Sequence, residues 1–432
     1  MPDLSPGLFP GADLRAFVDA SPSPSHAVAE LARRLTGAGF TELAETDAWS
    51  LSPGAAHYVV RHGSLLAFRL GSAPLAEAGM RLVGAHTDSP TLRVRPRSDV
   101  RQAGYRLVGV EPYGGGLWHT WLDRELTVAG RVVLRSGSPT RPSTALVRLD
   151  GAPLRLPSLA IHLDRGVREG LTLDPQRHLV PVWSRDLDTE PGLTAAVADA
   201  AGVRADEVVG ADLVLADTQP AGVTGADGTW IAAPRLDDLA GCHAGVTALA
   251  GAAPGERTQV LVANDHEEVG SGSMSGARGS FLEDVVRRLV AITDPDDPQA
   301  LPRTIARSRL VSADMAHAVH PTRHDRHEPA HAPQLGGGPV VKVNANQAYA
   351  TDAASGGWFV ERCAEAGVPF QYFVSRADLP CGSTIGPLTA TRLGLATVDV
   401  GAPMLAMHSC RELASALDVP LMVAALTACY SD

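Results

Sequence analysis

From about Arg95 to about Ala232 the chain loses helical periodicity. It runs instead as short alternating segments (Tyr105 to Val110, Thr127 to Leu134, Ala145 to Leu149 and Leu159 to Leu163) separated by Gly and Pro. Only Leu193 to Ala201 breaks that pattern with helical spacing. Before this stretch, His26 to Gly37 carries a helical stripe of Val28, Leu31 and Leu35, and Tyr58 to Leu70 and Met80 to Ala85 read as strands. After it, strand and helix alternate: Leu239 to Ala250 helical, Gln259 to Ala263 a strand, Gly279 to Ile292 helical, Leu310 to Ala313 a strand, Ala353 to Gly367 helical. Such alternation builds a layered α/β sheet. The interruption therefore predicts an α/β domain assembled from residues 1–94 and 233–432, with a central mostly parallel or mixed sheet flanked by helices. A β-rich domain, 95–232, is inserted into it. The 432 residues suffice for two or three domains at roughly 150 residues each. Leu413 to Tyr430, apolar but interrupted by Asp418 and Pro420, is expected as a buried helix.

Charge excludes one class of partner. The formal net charge of −11 opposes phosphate backbones and argues against nucleic acid, leaving cations as the better match. The five cysteines are odd in number and include no C-x-x-C, so neither a disulfide framework nor a thiolate zinc site is signalled, and a reducing cytoplasm is expected. The N-terminal residues lack a basic and an apolar leader region, and no run reaches the roughly 18 apolar residues that span a bilayer, so no membrane association is expected.

Polar residues cluster where apolar runs stop: His86 and Asp88, Asp237 and Asp238, Asp265 to Glu268, Asp314, and later His408. Open α/β sheets gather ligands at the carboxyl ends of their strands, so these groups can converge. Histidines and carboxylates without thiolates are the ligand type of zinc, manganese or cobalt hydrolases. In His86-Thr87-Asp88 alternate side chains share an edge, which lets His86 bind metal while Asp88 orients its ring. The adjacent carboxylates of Asp265-His266-Glu267-Glu268 point in different directions and can divide two tasks, one on metal and one taking a proton from water. Other motifs fail. Gly270 stands four after His266, so H-E-x-x-H is absent. In GSGSMSG the third Gly falls one residue late for a dinucleotide fingerprint, and GSMSG has Met where a nucleophilic Ser would sit. His317, His320, His324, His327 and His331 are spaced as one helical face, but Pro321, Pro329 and Pro333 break it, so a loop is expected for the last three.

Eight segments in order, GAHTDSP (Gly84 to Pro90), PYGGGLWHTWLDREL (Pro112 to Leu126), RLDDL (Arg235 to Leu239), DHEEVGSGS (Asp265 to Ser273), SADMAHAVHP (Ser312 to Pro321), VKVNANQ (Val341 to Gln347), LPCGSTIGP (Leu379 to Pro387) and MHSCRE (Met407 to Glu412), resemble the signature blocks of the aspartyl aminopeptidase family. The resemblance implies a cytoplasmic zinc aminopeptidase that removes N-terminal Asp or Glu. It also implies a dinuclear site, an inserted dimerisation domain, and dimers assembled into a dodecamer. Carried over block by block, it implies Asp237 as the carboxylate bridging two divalent ions, His86 and Asp314 completing one and Glu268 and His408 the other. Zinc is the expected metal, with manganese or cobalt as alternatives. Glu267 would be the general base, Asp238 no ligand, and His162 would reach the site of a neighbouring subunit. His317 and Lys342 are the expected substrate-binding groups. Lys342 is the one Lys among 37 basic residues, and it offers a compact charge for an acidic substrate side chain. Cys410 and Ala348 depart from the family pattern. A related dinuclear aminopeptidase or deacylase of neutral preference would share every metal residue. A protein that kept the fold without the chemistry would lack a ligand or the base, and all six positions are filled.

Overall fold

The computed structural model describes residues 11–135, 143–151, 154–185 and 192–431; Met1 to Pro10 lie outside them. Nine strands form the main sheet in the order Thr41–Glu42, Ala56–Arg61, Ser64–Arg69, Thr258–Asn264, Met80–His86, Arg309–Ala313, Ala396–Gly401, Val340–Val343 and Gln371–Val374. The stretch expected as strand from Tyr58 to Leu70 is a hairpin turning at His62 and Gly63. The four central strands, Thr258–Asn264 to Ala396–Gly401, are parallel, while the hairpin and Val340–Val343 pair antiparallel, so the sheet is mixed.

Met80–His86 and Thr258–Asn264 are buried along their whole length. This is why they read as continuous apolar runs rather than alternating ones. Successive residues serve opposite cores: Val83, Ala85, Leu261 and Ala263 pack under the helices Leu236–Gly251, Ala353–Glu365 and Asp418–Tyr430, and Met80, Leu82, Val260 and Val262 under Phe281–Thr293. The register sets Asn264 opposite His86 and Ala313 opposite Val400, so the strands end on one edge.

A second sheet of seven strands is ordered Val208–Asp217, Thr91–Gln102, Tyr105–Tyr113, Val182–Arg185, Leu154–Arg155, Glu125–Leu134 and Ser143–Arg148. Val208–Asp217 also pairs with Glu125–Leu134, closing the sheet around Leu92, Val108, Val110, Leu126, Val128, Leu213 and Leu215. Among the described residues Ser143–Arg148 pairs with Glu125–Leu134 alone and remains an edge strand. Gly222–Thr224 and Trp230–Ala233 belong elsewhere, in a five-stranded sheet with Glu412–Ser415, Pro403–Leu405 and Ala316–His317. We therefore propose that the insert spans about residues 91–217, not 95–232.

Two local expectations are corrected. Leu159 to Leu163 is no strand: the Ala160 carbonyl accepts the N–H of Leu163 at 2.8 Å, making a turn, and Leu159 and Leu163 are 64% and 75% exposed, so no neighbouring strand covers them. Leu413 to Tyr430 is not one helix. Its first residues lie in the strand Glu412–Ser415, and the helix begins at Asp418, which leaves Pro420 in the first turn where its missing N–H is tolerated.

Candidate metal centre

The strand edge delivers the polar groups. His86 is the last residue of Met80–His86, Asp314 follows Arg309–Ala313, and Glu267 and Glu268 lie on the single turn Glu267–Val269 just beyond Thr258–Asn264. Asp237 sits at the irregular start of the helix Leu236–Gly251, whose backbone is non-helical at Asp237 and Asp238. His408 arrives from the loop between Pro403–Leu405 and Glu412–Ser415, with a left-handed φ of 66°.

These residues form three overlapping triads, each with ligand atoms within 4.8 Å of one another: His86, Asp237 and Asp314; Asp237, Glu268 and His408; His86, Glu267 and Glu268. Asp237 stands between two histidines, Oδ1 3.4 Å from His86 Nε2 and Oδ2 3.3 Å from His408 Nε2. His86 Nε2 lies 3.6 Å from Asp314 Oδ1, and His408 Nε2 3.2 Å from Glu268 Oε1. Yet Asp237 Oδ1 and Glu268 Oε1 are buried without a hydrogen bond. Buried carboxylate oxygens left unsatisfied are costly, and a divalent cation between them is the natural partner. The donor set, imidazole and carboxylate without thiolate, fits zinc and equally manganese or cobalt.

Protonation points the same way. Burial pushes the Glu267 carboxyl up to about 8 and that of Glu268 to about 7. Burial opposes charge on both histidines too, but the Asp237 and Glu268 carboxylates facing its ring hold His408 near 11, and Asp237, Asp314 and Asp88 hold His86 well above its ordinary value. Carboxylates crowded and buried together are the electrostatic setting that a cation relieves.

A second layer fixes the first. His86 Nδ1 lies 3.1 Å from the Asp88 carbonyl and 3.5 Å from its Oδ1. Asp88 is fully buried, and its Oδ1 accepts from the Glu267 N–H at 3.0 Å and its Oδ2 from the Glu268 N–H at 3.1 Å. Asp238 points away from the triads and accepts from the N–H groups of His86 and Gly241 at 3.1 and 3.2 Å. Glu412, to which sequence patterns assign no role, accepts from the Asp237 N–H at 3.1 Å and the His408 N–H at 2.6 Å, and burial raises it to about 8. Its only sequence signal is its place at the end of MHSCRE. Tyr113, in the PYGGG segment, is a second residue at the site that sequence reasoning does not single out; its hydroxyl donates to Asp88 Oδ2 at 2.6 Å.

The cluster floors a cavity of about 470 Å³ whose lining includes His86, Glu267, Asp314, His317, Lys342 and His408. Lys342 is 2% exposed and donates to Asp314 Oδ2 at 3.2 Å and the Met315 carbonyl at 3.0 Å. Its charge is opposed by burial and more than restored by Asp314 and Asp399. Its observed partner is thus a carboxylate of the cluster. Beyond His317 and Tyr349 a further cavity of about 330 Å³ continues toward His320 and His327. His162 is exposed in the insert and lines neither cavity. Cys410 is buried and Cys381 half-buried, both free.

The description aminopeptidase I zinc metalloprotease (M18) matches residues 17–430. The chain belongs to the M18 family of zinc metalloproteases. A probable M18 family aminopeptidase 2 of Stutzerimonas stutzeri (strain A1501) is 48% identical over 422 residues, covering 96% of each chain. One of Mycobacterium leprae is 47% identical over 421 residues, covering 97% of this chain and 98% of its own. Among solved structures, Ape4 in its complex with Nbr1 superposes with a TM-score of 0.92 at 36% identity, covering 96% of this chain and 84% of that one. The S. cerevisiae mApe1 dodecamer gives 0.83 at 30%, covering 96% and 95%. M18 membership makes the chain a metallo-aminopeptidase, and its α/β sheet with a closed β-rich insert is the M18 fold.

Proposed function

We propose that this M18 chain is a dinuclear aminopeptidase that removes Asp or Glu from peptide N-termini. One ion, zinc in our reading, is held by His86, Asp237 and Asp314, and a second by Asp237, Glu268 and His408. The observation that carries this reading is Asp237, whose two oxygens face different histidines while one oxygen has no hydrogen bond. Held by these residues, two divalent ions would supply Lewis-acid polarisation of the scissile carbonyl and a lowered pKa for the attacking water. Glu267, whose carboxylate lines the cavity beside the proposed ligands, takes the proton from that water and returns it to the leaving amine. Asp88 orients His86 and the backbone of Glu267, and the acidic walls attract the substrate's protonated amine. His317 and the remaining donor of Lys342 receive the acidic side chain.

The insert supports assembly. Leu159, Ile161 and Leu163 are exposed beside His162, an apolar loop of the sort an oligomer covers, and an M18 relative is described as a dodecamer. In our reading two copies pair through this domain, the pairs build a dodecamer, and His162 enters the neighbour's cavity. Among the described residues no helix is long and apolar enough to cross a membrane. The free cysteines support a reducing, cytoplasmic setting.

One observation favours a neutral preference instead: Lys342 already spends two of its three N–H donors on Asp314 and Met315. The test is release of free amino acid from a panel of X-Ala dipeptides by metal-stripped and metal-restored protein. Activity on Asp-Ala and Glu-Ala that vanishes on stripping and returns with two ions per chain supports the proposal. A single ion, or equal rates on Ala-Ala, overturns it in favour of a mononuclear or neutral enzyme.

A further inference from the structure

We propose that Tyr113, supplied by the inserted sheet, is a positioning residue for hydrolysis, its hydroxyl locking the Asp88 carboxylate that carries the Glu267–Glu268 turn. Tyr113 ends the strand Tyr105–Tyr113 and is 9% exposed. Its hydroxyl donates to Asp88 Oδ2 at 2.6 Å. The same carboxylate accepts the backbone N–H groups of Glu267 and Glu268, one on each oxygen. Two acceptor atoms thus fix the peptide planes of consecutive residues with different tasks, the base and a metal ligand, on the roles proposed above.

The turn needs such support. His266, Gly270 and Ser271 all adopt left-handed φ, at 64°, 89° and 59°, a run in which two non-glycine residues are disfavoured unless the surroundings hold them. Asp88 can rotate about its own side-chain bonds, and rotation would release both N–H groups together. The Tyr113 hydroxyl is the third donor, arriving from a different sheet, and it removes that freedom. Pre-organised geometry at the base is worth most in the step where the proton moves, because small misplacements there are amplified in rate. The hydroxyl is therefore expected to act on turnover rather than on binding.

Tyr113→Phe is the fitting test, since it keeps the ring, its packing 6.3 Å from His266 and its stacking 5.8 Å from the Arg93 guanidinium. Measured on the metal-loaded, full-length enzyme with an acidic dipeptide, kcat should fall about 10- to 100-fold, the range for loss of an outer-shell partner, with KM changed less than about twofold. Metal content should stay at the wild-type value, and Tm should fall only by the few degrees that loss of one buried hydrogen bond costs. Added to Asp88→Asn, Tyr113→Phe should cost less than about threefold more, because the route through Asp88 is already broken. Unchanged kcat, a loss that tracks falling metal content or a larger fall in Tm, or full multiplicative losses in the double variant would each overturn the proposal. The Glu267 assignment is decided separately, by Glu267→Gln, so the two readings fail on different variants.

Discussion

The nine-stranded sheet and the closed seven-stranded sheet handle their strand ends in opposite ways. In the first, helices cover both faces, and parallel strands stop together on one edge, releasing His86, Asp314 and the Glu267–Glu268 turn into a common cavity. In the second, strands close on one another around an aliphatic core, and what this half brings to the site is support: the Tyr113 hydroxyl on Asp88 and the Gly115 carbonyl 3.2 Å from His408 Nδ1. On the function proposed above, one half supplies reacting and ligating groups and the other aims them. A parallel sheet concentrates chemistry at an edge because its chain direction is shared. A closed sheet has no such edge and contributes through its last residues and loops.

If that division holds, changes in the α/β half should cost most. Glu267→Gln keeps the shape of the side chain but cannot accept a proton, so kcat should fall by about 100- to 10,000-fold with metal content intact. Near-wild-type kcat, read alongside metal analysis, would remove Glu267 from its role. Asp237→Ala should instead lose metal, and chelation of the wild-type protein should lower Tm. Ligands that bind only the folded state stabilise it by about 2.7 kcal/mol at a hundredfold excess over Kd, and removal leaves like charges buried together. A Tm unmoved by chelation and by metal return would contradict the metal centre.

The insert should show smaller, differently shaped effects. Leu159→Asp with Leu163→Asp places charge in the exposed apolar loop and should shift sedimentation toward smaller species. Activity per chain should fall in parallel, by roughly tenfold if His162 acts across subunits. His162→Ala should reproduce the activity loss without the change in size. Full activity from a dissociated chain would separate assembly from catalysis.

The smallest effect expected lies where the halves meet. His26 packs near Arg148 of the insert, and burial first, then the Arg148 and Arg235 charges, depress its pKa from 6.5 to about 4. Its folded pKa is below its unfolded one, so the unfolded chain binds the extra proton between those values. Stability from this group is present above about pH 6.5 and lost progressively as pH falls toward 4, by of order 1–3 kcal/mol in all. Tm measured across pH 4–7 should therefore fall less steeply with acid in His26→Gln than in wild type. Identical slopes would show that the acid response arises elsewhere.

Legibility in the sequence followed burial. Met80–His86 and Thr258–Asn264 announced themselves because both of their faces are covered, and a short unbroken apolar run between turn residues is what a strand buried on two sides requires. The groups at their ends were visible as polar breaks, and the block resemblance assigned roles that the three triads accommodate. Leu159 to Leu163 misled because apolar alternation records what a segment could bury, not whether a partner strand lies beside it. Lys342 stood out for its rarity, but rarity did not reveal that Asp314 would be its partner.

By itself, then, the sequence determined which unbroken apolar runs are buried strands, that a β-rich region interrupts the α/β pattern, and which residue types stand at the strand ends, since all of these follow from local periodicity and side-chain chemistry. Only the tertiary structure decided that 230–233 pairs with 412–415, that Glu412 holds Asp237 and His408 by their backbones, and that a tyrosine of the insert reaches Asp88. Apart from the Glu412–His408 bond, those contacts join residues far apart in the chain. Such contacts depend on where two sheets come to rest against each other, and no local pattern encodes that.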